Sequence, residues 1–160
     1  MLFRSPEISV PHSPDDVKTI DQVIGQPVQQ AFIGSCTNGR LEDLHAAADI
    51  LRGRKVHSTV RLIIAPASKQ VFVEALKDGT VEALTEAGAS FINSGCGPCV
   101  GTHQGIPGDG ENVISATNRN FQGRMGNRNS FVYLASPATV AASALYGKIT
   151  NPLDVKEEVK

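Results

Sequence analysis

Between residues 30 and 152 the chain alternates short apolar runs with polar turns and amphipathic stretches, which predicts strands followed by helices. Gln30-Ala-Phe-Ile-Gly34 reads as a buried strand and is followed by a polar turn over 35–39. Leu41, Leu44, Ala48 and Leu51 then recur at helical spacing, with Glu42 and Asp43 in the first turn, where the helix dipole favours acids. Val60 to Ala65 predicts a second strand. Ser68 to Leu76 predicts a helix closing at Gly79, and Thr80 is placed to cap another that ends at Gly88. Ser90 to Asn93, Asn112 to Ala116 and Ser130 to Leu134 read as further strands. Ser136-Pro137 starts the last helix with a capping hydroxyl and a proline at the first helical position; Val140, Ala141, Ala144 and Leu145 give its apolar face, and Gly147 stops it. Strands alternating with helices predict an α/β domain with a mainly parallel sheet.

The ends read differently. Residues 1–29 are polar and broken by Pro6, Pro11, Pro14 and Pro27, which predicts an irregular lead-in with one short helical turn around Asp15 to Ile24. Residues 153–160 read as a charged tail with no core to join.

Composition narrows the picture. A length of 160 residues suits one ordinary domain. Fifteen Lys and Arg against sixteen Asp and Glu leave a net charge of -1, which argues against a mainly electrostatic nucleic-acid or membrane partner. With 41% hydrophobic residues but only six Phe, two Tyr and no Trp, the core must be built from Ala, Val, Ile and Leu. No apolar run approaches the roughly eighteen residues of a membrane span, and the N-terminus has no signal-peptide core, so a cytoplasmic location is expected. Three cysteines cannot all be used by a simple disulfide framework, and in a cytosolic chain they suggest a metal or redox site first.

The chemistry concentrates in three polar segments, each after a predicted strand, where ligands gather in parallel α/β sheets. They are Gly34-Ser-Cys-Thr-Asn38, Ser94-Gly-Cys-Gly-Pro-Cys-Val-Gly101 and Thr117-Asn-Arg-Asn-Phe-Gln-Gly-Arg124. Cys36, Cys96 and Cys99 are candidate metal ligands. Zinc would want a fourth, and His103 could supply it. A four-iron, four-sulfur cluster normally takes four cysteines, so three would leave one iron open as a Lewis acid. Arg119 and Arg124 carry forked donors suited to carboxylates, and Asn118 can hydrogen-bond a ligand or a cluster atom. Plainer readings exist for each: a redox C-x-x-C, a buried Cys36, surface arginines. His12, His45, His57 and His103 share no spacing with a partner acid and read as structural or exposed.

Taken together, Phe-Ile-Gly-Ser-Cys36-Thr-Asn-Gly, Ser-Gly-Cys96-Gly-Pro-Cys99 and Ser-Ala-Thr-Asn118-Arg119-Asn-Phe-Gln-Gly-Arg124 resemble the aconitase superfamily in content and order. Tyr133-Leu-Ala-Ser-Pro137-Ala-Thr-Val-Ala-Ala-Ser-Ala-Leu and Gly147-Lys-Ile-Thr are most similar to large subunits of 3-isopropylmalate dehydratase and homoaconitase, and the Gly-Pro between Cys96 and Cys99 is closer to their archaeal-type branch. The resemblance covers nearly all of residues 8–152.

It implies a three-layer αβα, cluster-binding domain over residues 30–152. It further implies that Cys36, Cys96 and Cys99 hold a 4Fe-4S cluster with one iron open to substrate, that Arg119 and Arg124 lie in the substrate pocket, and that Asn118 lies beside the cluster. The implied reaction is that of a hydro-lyase: reversible loss and re-addition of water on a hydroxy-di- or tricarboxylic acid, as in leucine biosynthesis. The resemblance covers only the C-terminal portion of such large subunits. The N-terminal domains supply active-site His and Asp residues, and a small-subunit swivel domain carries the catalytic serine. No catalytic residue is identified in this chain itself; Ser136 is better explained as a helix cap. Isopropylmalate, homocitrate, dimethylmalate and citrate all remain open as substrates. Two other readings stand beside this one: a non-catalytic zinc domain on Cys36, Cys96, Cys99 and His103, and an aconitase-related RNA-binding regulator, which the near-neutral charge disfavours. The leading reading requires the three sulfurs to face a common cavity.

Overall fold

A computed structural model describes residues 6–157 of the chain. Seven strands form one sheet: β1 (Glu7–Ser9), β2 (Val17–Thr19), β3 (Gln30–Gly34), β4 (Arg61–Ala65), β5 (Ser90–Phe91), β6 (Asn112–Ser115) and β7 (Phe131–Leu134), in the order β2-β1-β7-β6-β3-β4-β5. From β7 to β5 all neighbours are parallel, with β3 central between β6 and β4. β1 adds antiparallel to β7, and β2 antiparallel to β1. The fold is thus α/β with a mainly parallel sheet.

Strand alternation divides the core in two. Ala31 and Ile33 of β3, Leu62 and Ile64 of β4 and Ile114 of β6 face the larger cluster, which the helices cover. Those helices are α1 (Ser35–Asn38), α2 (Leu41–Leu51), α3 (Lys69–Lys77), α4 (Thr80–Ala87), α5 (Pro137–Tyr146) and α6 (Pro152–Glu157), of which α2 packs on α3, α4, α5 and α6. Phe32, Ile63, Ala65, Val113, Val132 and Leu134 face the other way, where Cys99 and Met125 from the long loops close over them. The predicted Ala, Val, Ile and Leu core is present, with Phe32 its one fully buried aromatic ring among the described residues.

Local signals explain the helix ends. Asp43 accepts from the backbone N–H of Arg40 at 3.1 Å and caps α2. Ser68 accepts from the N–H of Val71 and Ser136 from that of Thr139, so both serve as caps. Thr80 differs from expectation: it is the first residue of α4, and its N–H is satisfied by the Asp78 carboxylate at 3.0 Å.

Both chain ends correct the sequence reading. The lead-in has its expected short helical turn, a 3₁₀ turn over Ile20–Gln22, but it also contains β1 and β2 and buries Ile8, Val10, Ile20, Val23 and Val28. Pro6, Pro11 and Pro14 lie outside the named strands and Pro27 makes only an isolated bridge with Lys148, so the prolines interrupt the pattern without preventing the strands. At the other end α6 buries Val155 against the helix-side core, where only a charged tail was expected. Residues 158–160 of that tail lie outside the described residues.

Candidate functional site

The carboxyl ends of β3, β4, β5, β6 and β7 open on one rim of the sheet, and the three polar segments leave from it. Close backbone approach fixes their paths. A Cβ on Gly34 would stand 2.1 Å from the carbonyl oxygen of Ala65, so the turn carrying Cys36 passes where only glycine fits. A Cβ on Gly101 would stand 2.2 Å from the backbone nitrogen of Gly126, which seats the end of the cysteine turn on the chain just beyond the third segment.

Side chains add further ties. The Asn38 amide donates to the carbonyl of Ala116, linking the first segment to the residue that leads into the third. Arg124 links the third to the second: its Nε donates to the carbonyl of Cys99 at 2.6 Å, and its Nη2 lies 3.6 Å from the Cys99 sulfur. The same guanidinium lies over the Phe121 ring, 5.4 Å from its centre. Cys99 follows Cys96 in a tight turn, with its N–H donating to the Cys96 carbonyl at 2.9 Å. Gln30 donates to the carbonyl of Gly105 at 2.6 Å and steadies the loop beyond the turn.

The three cysteines are free thiols; Cys36 and Cys96 are exposed, while Cys99 is buried in the loop-side core. Among the described residues, no three His, Cys, Asp or Glu side chains stand together as a group able to hold a metal ion. The expectation of three sulfurs facing one cavity is therefore not met by the side chains as they stand, and neither is a Cys₃His zinc cage. The three differ in setting: Cys99 is buried in the loop-side core with Phe32, Ile63 and Met125, whereas Cys36 and Cys96 are exposed. The donor set nevertheless fits an iron–sulfur cluster in its chemistry: three unpaired thiols on two adjoining strand-end loops, and beside Cys36 a buried hydroxyl, that of Ser35, without a hydrogen-bond partner.

Of the other predicted site residues, Asn118 and Arg119 are exposed on the third segment, and Arg119 donates to the Asn118 carbonyl at 2.9 Å. Arg124 is half-buried and engaged with Cys99, a contact that spacing along the chain could not reveal. The histidines fall outside any shared site. His103 is exposed next to Gly97, His12 stacks on Phe131, and His57 bonds Thr59. His45 does have an acid partner, Asp78 at 2.7 Å, but on the helical side of the molecule. The sequence reading missed Ser35 altogether; its only signal was its place between Gly34 and Cys36. An open groove of about 460 Å³ runs beside the site at the ends of β4 and β5, lined by Pro66, Lys69, Phe72, Phe91, Ile92, Asn93 and Ser94.

These features define an α/β domain whose cysteine-bearing loops cluster at the carboxyl ends of parallel strands. Residues 7–147 match the aconitase family (aconitate hydratase), and the chain belongs to that family. It is 56% identical over 148 residues to the methanogen homoaconitase large subunit of Methanocaldococcus jannaschii, covering 92% of this chain and 35% of that protein. It is 56% identical over 147 residues to 3-isopropylmalate dehydratase large subunit 2 of Archaeoglobus fulgidus, with 92% and 35% covered. Against the homoaconitase large subunit of Thermus thermophilus it is 53% identical over 154 residues, with 96% and 37% covered. The chain therefore spans little more than a third of the length of these relatives. No helix of the described residues is long and apolar enough to cross a membrane.

Proposed function

We propose that this chain is the cluster-carrying part of a hydro-lyase large subunit that acts on hydroxy-di- or tricarboxylic acids such as 3-isopropylmalate or homocitrate. The observation that carries this reading is the set of three free thiols, Cys36, Cys96 and Cys99, at one rim of an aconitase-family sheet. The names of the relatives support the reaction class and, through the words "large subunit", a small-subunit partner.

Cys36, Cys96 and Cys99 would hold a 4Fe-4S cluster, and such a group, when bound, supplies an open iron that polarises a hydroxyl and eases its departure. The chain's own residues do the rest of what can be assigned here. Arg119 presents a fixed cation to a substrate carboxylate. Arg124 serves the same pocket while bracing Cys99 through its Nε. Asn118 would stand beside the cluster as a hydrogen-bond donor. The swivel domain of a small subunit brings the catalytic serine, and the N-terminal domains of the large subunit bring further active-site groups. A cytoplasmic location, where thiols stay reduced, and a place in leucine or related amino-acid biosynthesis complete the reading.

Anaerobic reconstitution with ferrous iron and sulfide tests it. The wild-type chain is expected to turn brown and absorb broadly in the visible blue, and Cys99→Ser to lose that colour. A wild-type chain that stays colourless, or takes up stoichiometric zinc instead, overturns the proposal in favour of a zinc domain.

A further inference from the structure

Ser35 carries two costs that the fold alone does not require. Its backbone lies at φ +68°, the one positive φ on a non-glycine residue among those described. A side chain held there is strained, and such outliers cluster at functional sites. The residue is also 1% exposed, and its hydroxyl oxygen has no hydrogen-bond partner. Leaving a buried hydroxyl unpaired adds the cost of its lost hydration. The other buried side-chain atom without a partner among the described residues, Asn120 Oδ1, belongs to an amide that already bonds the carbonyls of Val10 and Val132. Ser35 makes no such bond. A glycine at this position would carry neither cost, as Gly34 before it and Gly39 after it do not.

The location gives the hydroxyl a purpose. Ser35 is the first residue beyond β3, directly before Cys36, in a turn pinned by Gly34 against Ala65 and by the Asn38 amide on Ala116. A hydroxyl is an obligate donor when faced by sulfur, and hydrogen bonds to cluster sulfurs help set reduction potential. We infer that Ser35 is a positioning and tuning residue whose hydroxyl donates to a sulfur of the group held by Cys36. This rests on the cluster reading proposed above. The hydrogen bond favours the electron-rich state of that sulfur, so it raises the midpoint potential and slows loss of iron.

The test compares Ser35→Ala with Ser35→Gly in the full chain. Both delete the hydroxyl, but only glycine relaxes the backbone. Each protein is reconstituted anaerobically with ferrous iron and sulfide, and iron and sulfide content, midpoint potential and the rate of iron loss to a chelator are measured. Both variants are expected to load, to have a lower midpoint potential than wild type, and to lose iron roughly three- to tenfold faster, the size of one modest hydrogen bond. A glycine variant with wild-type potential and iron-loss rate overturns the inference and leaves Ser35 a turn residue. So does a glycine variant that fails to fold, because the serine would then serve the fold itself. A wild-type chain that takes up no cluster strikes the underlying reading instead, and that outcome is read before any variant is compared.

Discussion

At Arg124 one planar side chain holds two atoms of a single residue, the carbonyl and the sulfur of Cys99, while resting on Phe121. A lysine could not reproduce that fork, because its ammonium is a point donor on a flexible stem. Gly34 shows the opposite economy, a position defined by what must be absent. Gly34→Ala is expected to destabilise the chain by roughly 3 kcal/mol or more, since the added carbon collides with backbone rather than with a yielding side chain. Urea unfolding of the variant against wild type measures this, and an unchanged midpoint would show that the Cys36 turn tolerates a side chain. The identities of Cys36, Cys96 and Cys99 as candidate ligands were legible from residue type and order alone. The partnership of Arg124 with Cys99 was not, because it joins positions 25 residues apart through a loop path. Nor was the burial of Cys99, which shares its core cluster with Phe32, Ile63 and Met125 from three different segments.

Among the elements, β3 was fully legible because Gln30 to Gly34 are all buried and a strand covered on both faces writes an uninterrupted run. β1 was illegible for the converse reason: three residues have no period of their own, and the strand exists through its ladder with the equally short β2 and a single register pair with β7 more than a hundred positions away. A polar clamp then ties the lower ends of β3, β4 and β6. Arg61 bonds both oxygens of Glu111, at 3.0 and 2.5 Å, and also the Gln30 side chain at 3.1 Å. The bond from Arg61, followed by that from the Gly108 N–H, holds the Glu111 carboxyl below its ordinary value of 4.5. A depressed folded-state value stabilises the fold above the unfolded value and loses that contribution as pH falls through the folded one. Exposed Asp78 acts in the same direction: hydrogen bonds from Thr80 and then His45 hold it down to about 2, from 3.8. Stability is thus expected to decline on acidification below about pH 4.5, and Glu111→Gln to be less stable than wild type near neutrality while showing a shallower acid decline. Parallel pH-stability curves for the two proteins would remove Glu111 from that role.

On the scale of the whole molecule, the relatives are nearly three times as long as the stretch they share with this chain, which covers 35 to 37% of them. The site described here supplies thiols, two guanidiniums and an amide, and no side chain placed to abstract a carbon-bound proton. The chain alone is therefore expected not to turn over isopropylmalate or homocitrate, even when reconstituted with iron and sulfide. Dehydration by the isolated chain, followed by absorbance of the unsaturated product, would show that it holds a base of its own.

The antiparallel pair at the start of the chain has a bearing on how the protein can be handled. Asn120, inside the arginine-bearing segment, donates to Val10 as well as to Val132, so the chain just after β1 physically underpins the loop that presents Arg119 and Arg124. β1 also shields the flank of β7 from water. Clipping the polypeptide near Gly25 would bare a sticky ribbon ready to zip onto a second copy, and would slacken the arginine loop in the same cut.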